Sequence, residues 1–198
     1  MHSISHTLKS LAAMPHLVLG GHPRERAGDG LLVSHDVQLI GEHPISVVSP
    51  AFGMGEPIPA RYTADGEGLS PPLRWSRPPE GTRSLVLFCE DPDAPTPQPF
   101  LHWLAYDISP NIDGLPEGLT GDSPAVLNGG QVGRNSMLRA AWAGCAPPRG
   151  DSPHHYHFQL FALDRILLLG PHAGRGAVLH AMKHRALGFG ELVGTYQR

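Results

Sequence analysis

"TRSLVLFCEDPDAPTPQPFLHWLAYDIS" (Thr82–Ser109) is the stretch on which the fold turns. Its first part, "TRSLVLFCEDPD", is apolar at successive positions, as in a strand buried on both faces at the centre of a sheet. Its last part, "FLHWLAYDIS", alternates. Leu101, Trp103 and Ala105 fall on one face of an extended chain, and His102, Leu104, Tyr106 and Ile108 on the other. Between them Pro92 and Pro95 end the first strand in a fixed bend, since proline cannot donate to a ladder. Asp91 and Asp93 stand at that bend. One carboxylate is then aimed into a cavity at the strand end, or both are solvated on a surface turn. A cis X-Pro bond is open here. His102, on an apolar face, needs a partner to be more than a satisfied core histidine.

Working outward, "HHYHFQLFALD" (154–164) alternates as well. His154 and Tyr156 share a face with Phe158, Leu160 and Ala162, while His155 and His157 share the other with Gln159 and Phe161. Three histidines in four residues therefore do not converge on one ion. "ISVVS" (45–49) is a short β-type run, and the two prolines of "EPIPARYT" (56–63) put that segment at an edge or in a loop. Near the end, "GRGAVLHAMKHRALGFG" (174–190) predicts a helix whose apolar stripe is Leu179, Met182, Ala186 and Phe189, with Gly188 and Gly190 at its stop. "ELVGTYQR" (191–198) predicts a last strand. Several strands followed by a late helix imply a mainly β, antiparallel β-sandwich with peripheral and C-terminal helices.

The first forty-odd residues differ in pattern. Ile4, Leu8 and Leu11 have helical spacing, and "GGHPRERAGDG" (20–30) reads as an exposed loop. Residues 1–44 are therefore taken as an N-terminal extension, a short helix plus loop, and 45–198 as the domain.

The chain has 198 residues, a length that suits one domain. Its 24 glycines and 21 prolines, in a chain with clear apolar runs, point to shaped loops rather than disorder. A net charge of −3 gives no electrostatic reason to expect nucleic acid, and no apolar run reaches the length of a membrane span. The N-terminus is a poor secretory signal, so a cytoplasmic location is expected. Cys89 and Cys145 have no metal-site spacing, and two reduced thiols are the plainer reading, with a disulfide left open.

Enzyme motifs are sparse. There is no G-x-S-x-G elbow, phosphate loop or dinucleotide fingerprint. A His155–His157 pair on one strand face is compatible with a metal ligand pair, but polar edge surface is the commoner reading of such a pair.

Taken together, "IPARYT", "SPPLRW", "DPDAP", "LHW", "GCAPPRG", the H-x-Y of "HHYHF", and "ALD" resemble the phosphatidylethanolamine-binding protein family, in particular its bacterial Raf-kinase-inhibitor-like branch. The resemblance runs from about residue 45 to the C-terminus. It implies the sandwich already read from the pattern. It also implies a small pocket for phosphate, phospholipid head groups or related anions, in a non-enzymatic protein without cofactor or metal. A kinase or phosphoprotein partner and a homodimer are further implications. By position, the pocket would comprise Asp91, Ala94, Pro95, Phe100, His102, Ala143, Gly144, Ala146, Pro147, Pro148, His154 and Tyr156. The two imidazoles and the phenol are donors for phosphate oxygens, and Asp91 would fix an imidazole tautomer. Gly144 would let backbone approach the ligand. The chain departs from the family where Arg is usual and His155 stands, where proline is frequent and Cys145 stands, and where tyrosine is frequent and Trp142 stands. The alternative is a metal-dependent or phosphoester hydrolase using the same His/Asp pocket.

Overall fold

The strand expected within Thr82–Asp93 runs Ser84–Asp91, and all eight of its residues are buried. A computed structural model describes residues 26–119 and 127–198. In chain order, the strands among the described residues are β1 (Leu39–Pro44), β2 (Val47–Val48), β3 (Leu73–Trp75), β4 (Ser84–Asp91), β5 (Phe100–Ile108), β6 (Gly114–Leu115), β7 (Gln131–Val132), β8 (His154–Leu163) and β9 (Ala186–Tyr196). Helix α1 spans Val33–Asp36 and α2 spans Arg175–Met182. One sheet has the order β1-β9-β8-β4-β5-β7 and the other β2-β3-β6. Pairing is antiparallel except at the edge, where β1 runs parallel to β9.

Two apolar layers hold this sheet. Between the sheets, Leu85, Leu87, Cys89, Trp103, Tyr156, Phe158 and Leu160 meet Val47, Leu73, Trp75 and Leu115. On the outer face, Val86, Phe88, Leu104, Tyr106 and Phe161 pack with Val33, Val178 and Met182, which lie in α1 and α2. The double covering explains why β4 is apolar at each position from Leu85 to Cys89. It also shows where the helices lie: against the six-stranded sheet, on the face turned away from its partner.

Three expectations change. The helix over 174–190 ends at Met182. His184 takes a left-handed φ of 56° just beyond it, and the chain returns as β9. Ala186 and Phe189 therefore belong to a strand. Gly190 is there because a Cβ would run into the carbonyl of Ile45 where β1 leads away, not because a helix stops. The peptide bonds of the described residues are all trans, including those before Pro92 and Pro95. Finally, the described part of the 1–44 segment does not stand apart from the sandwich. Leu39–Pro44 is an edge strand of the large sheet, and Val33 is fully buried against it. The helix read at Ile4, Leu8 and Leu11 lies outside the described residues.

Candidate functional site

The proline-rich bend after β4, the start of β5, the loop before β8 and the first residue of β8 meet at one end of the large sheet. They enclose a cavity of about 290 Å³. Asp91, Ala94, Pro95, Phe100, His102, Ala143, Gly144, Ala146, Pro147, Pro148 and His154 line it, as the sequence implied, and Thr96 and Met137 complete the wall. Most of the lining is alanine, proline and aromatic. Asp91, His102 and His154 are its ionisable members, and they are 3%, 5% and 1% exposed.

A bulge puts His102 there. Trp103 pairs with Cys89 and Leu101 with Glu90, so His102 is the extra residue on β5. It does not join Leu104 and Tyr106 in the outer layer, as strict alternation would require. Instead its ring lies against Phe100 (4.7 Å between centroids), Tyr156 (5.1 Å, edge-on) and Trp142 (5.8 Å), the last two from the inter-sheet core. Its Nδ1–H donates to the Ala143 carbonyl at 2.6 Å, and Ala143 N–H donates back to the His102 carbonyl at 2.9 Å. Because a carbonyl only accepts, the proton at Nδ1 is fixed. Nε2 is left 3.9 Å from Asp91 Oδ2, beyond a hydrogen bond.

Asp91 organises the bend and the histidines together. Its Oδ1 accepts from the N–H groups of Asp93 (2.9 Å) and Ala94 (3.1 Å), and its Oδ2 accepts from His154 Nδ1 (2.8 Å). Burial pushes the carboxyl pKa up. The facing His102 and His154 imidazoles pull it down by more, so it lies below its ordinary value. Of the two aspartates at the bend, Asp91 is thus the inward one. Asp93 faces outward, where its Oδ2 accepts from both the backbone N–H and Nδ1 of His155. His157 pairs with Glu191 at 3.0 Å. The two outer histidines therefore each have their own carboxylate. Among the described residues no group of three or more His, Cys, Asp or Glu is disposed to hold a metal ion.

Two residues serve differently from the sequence reading. Tyr156 is not on the cavity wall. It is fully buried, and its hydroxyl has no partner among the described residues. Burial first, then the nearby Cys145 and Asp91 charges, push its phenol far above its usual pKa. Its contribution is the edge that props His102. Gly144 lines the cavity and is also required by another loop. A Cβ there would sit 2.8 Å from Ala64 N and 2.9 Å from Thr63 C, where Ala64 N–H donates to the Cys145 carbonyl. Gly144→Ala is accordingly expected to lower stability by about 1–3 kcal/mol, as overpacking does. Urea denaturation checks this, and an unchanged midpoint would leave the close approach without energetic weight.

The cysteines are free and buried. Burial pushes both thiols well above their usual pKa, with Asp91 adding to the effect at Cys145. Neither is disposed to act as a thiolate. Thr96 and Met137 carry no signal in sequence beyond their nearness to the DPDAP and GCAPP motifs.

A stiff-walled pocket with two imidazoles and a carboxylate, at the end of the central strands of a two-sheet sandwich, defines a β-sandwich protein with a compact ligand-sized site. Residues 48–197 match the model of the family described as phosphatidylethanolamine-binding protein, and the chain belongs to that family. A UPF0098 protein of Pyrococcus horikoshii is 42% identical over 163 residues, covering 80% of each chain. The crystal structure of a putative phosphatidylethanolamine-binding protein homolog from Chlamydia trachomatis matches with a TM-score of 0.70 and 34% identity, over 78% of this chain and 98% of that one. Escherichia coli YbcL, described as a member of the mammalian family, matches with a TM-score of 0.70 and 30% identity, over 79% and 99%. Among the described residues no helix is long and apolar enough to cross a membrane.

Proposed function

We propose that this chain is a non-enzymatic cytoplasmic binding protein whose pocket takes phosphate, a phospholipid head group or a related small anion. The observation that carries the reading is the convergence of His102, His154 and Asp91 on one small cavity, with His102 Nε2 making no hydrogen bond among the described residues. The Asp91 oxygens are already engaged by His154 and two backbone N–H groups, so the carboxylate serves the imidazoles rather than a cation. Proline walls at 95, 147 and 148 limit the ordering entropy of binding. An activated nucleophile is missing from the lining: the Thr96 hydroxyl donates to the Gln98 carbonyl, and Cys145 is buried with a raised pKa. A phosphoprotein or kinase docking at the rim, where Met137 is half exposed, would make such a protein a regulator, alone or as a homodimer.

The tautomer gives the reading a sign. With Nδ1–H committed to Ala143, neutral His102 presents a lone pair at Nε2, which repels an anion. An anion is held at Nε2 only by the imidazolium, so the bound site carries that proton and binding should be lost at high pH. Calorimetry with inorganic phosphate and phosphoethanolamine, in buffers of different ionisation enthalpy, tests this. His102→Ala and His154→Ala should each weaken binding by roughly tenfold or more, the loss of a hydrogen bond to a charged group. Unchanged binding in both variants would overturn the proposal. Turnover of a phosphate monoester that His102→Ala abolishes would replace it with the hydrolase reading.

A further inference from the structure

We infer that Arg26, which precedes the family-matched region, is a positioning residue of this pocket and acts on His154 through Asp151. The inference rests on the pocket being an anion site. Its foundation is a line of groups running inward from the surface. Arg26 Nη2 donates to Asp151 Oδ2 at 3.0 Å, and Arg26 Nη1 lies 3.6 Å from Asp93 Oδ1. The same Asp151 Oδ2 stands 3.5 Å from His154 Nε2, with no hydrogen bond formed. His154 Nδ1 in turn meets Asp91, which faces His102. Guanidinium, carboxylate, imidazole, carboxylate and imidazole alternate along this line.

His154 Nε2 is the decisive atom. It is buried, has no hydrogen-bond partner among the described residues, and has Asp151 as its nearest carboxylate. Asp151 is held short of it by Arg26. Without the guanidinium, a small shift of Asp151 completes a bond from Nε2–H of the His154 imidazolium, whose Nδ1–H is already given to Asp91. That would stretch His154 between two carboxylates and leave a negative charge uncompensated beside the anion pocket.

Arg26 is placed by a docked segment. Gly28 N–H donates to the Pro92 carbonyl in the pocket bend (3.1 Å), and further along Val33 and Ser34 N–H groups donate to Glu90 and Gln159 (2.8 Å each). The segment therefore ties the bend after β4 to the loop before β8, the two loops that enclose the cavity.

The test uses the full chain with inorganic phosphate as probe. Arg26→Ala should weaken phosphate binding roughly two- to five-fold, the size expected for a half-exposed ion pair. It should also shift the His154 Nε2 resonance in side-chain ¹⁵N spectra, because that atom gains a hydrogen bond. In an Asp151→Asn background both effects of Arg26→Ala should vanish, and Arg26→Lys should restore part of the affinity. An unmoved Nε2 resonance, or an equal penalty in the Asp151→Asn background, would overturn the inference. If the unmodified chain binds no phosphate, the anion reading fails, and the spectra of the same variants still decide whether Arg26 acts on His154.

Discussion

Glu90→Ala should destabilise the fold by about 3–5 kcal/mol, the range for removing one partner of a buried ion pair. Glu90 is fully buried, on the face of β4 turned towards the helices. Its Oε1 accepts from Arg175 Nε at 2.7 Å, and its Oε2 accepts from Val33 N–H at 2.8 Å and Gln159 Nε2 at 3.0 Å. Arg175 also donates to the Leu31 carbonyl at 3.0 Å, so one acid gathers the central strand, the start of α2 and the N-terminal segment. Alanine leaves the guanidinium and the Val33 N–H without their acceptor and opens a cavity under them. Glu90→Gln keeps one acceptor oxygen and should lose less. Urea denaturation with a fixed m-value measures both variants. A loss below about 1 kcal/mol for the alanine variant, an ordinary substitution effect, would mean that packing alone holds the segment.

The latch also shows what sequence could and could not reveal. The unbroken apolar run of β4 announced a strand covered on both faces, and the alternation of β8 correctly parted His154 from His155 and His157. These are local patterns that burial imposes directly. No local pattern marks Glu90, because its partners come from residues 33, 159 and 175. The side of the sheet on which His102 falls depends on a bulge that follows from cross-strand register rather than composition. Glycines 188 and 190 imitate a helix stop because the close approach they permit involves backbone from residues 43 and 45. Long-range causes of this kind leave no periodic trace. The family motifs compensated at the pocket, where eleven of the twelve residues assigned by position line one cavity and Tyr156 lies beneath it. They gave no help with Arg26, which lies before the matched residues 48–197. The guanidinium absent from position 155 is met there by one that approaches Asp93 from the N-terminal segment.

Asp91→Asn should affect stability and binding together. The amide oxygen can still accept from Asp93 and Ala94 N–H, so the bend keeps its form. The amide nitrogen, however, replaces Oδ2 and sets a donor against His154 Nδ1–H. Losing a hydrogen bond to a charged acceptor predicts a stability drop of about 1.5–3 kcal/mol at pH 7. The pH dependence separates this from simple misfit. The Asp91 pKa in the fold lies below its ordinary value, which stands near 3.9 for an unfolded chain. The stability it contributes is therefore fully present above about pH 5 and is lost as pH falls through the folded value. The difference between wild type and variant should be constant near neutrality and shrink in acid, as followed by urea titration across that window. A difference that stays the same in acid would show that the carboxylate charge is not what stabilises the site. Phosphate binding should fall by roughly ten- to a hundredfold, since the amide no longer accepts from His154 Nδ1 and the imidazoles lose the carboxylate that orients them toward the ligand. Binding that survives at wild-type strength would place the anion's donors elsewhere in the pocket.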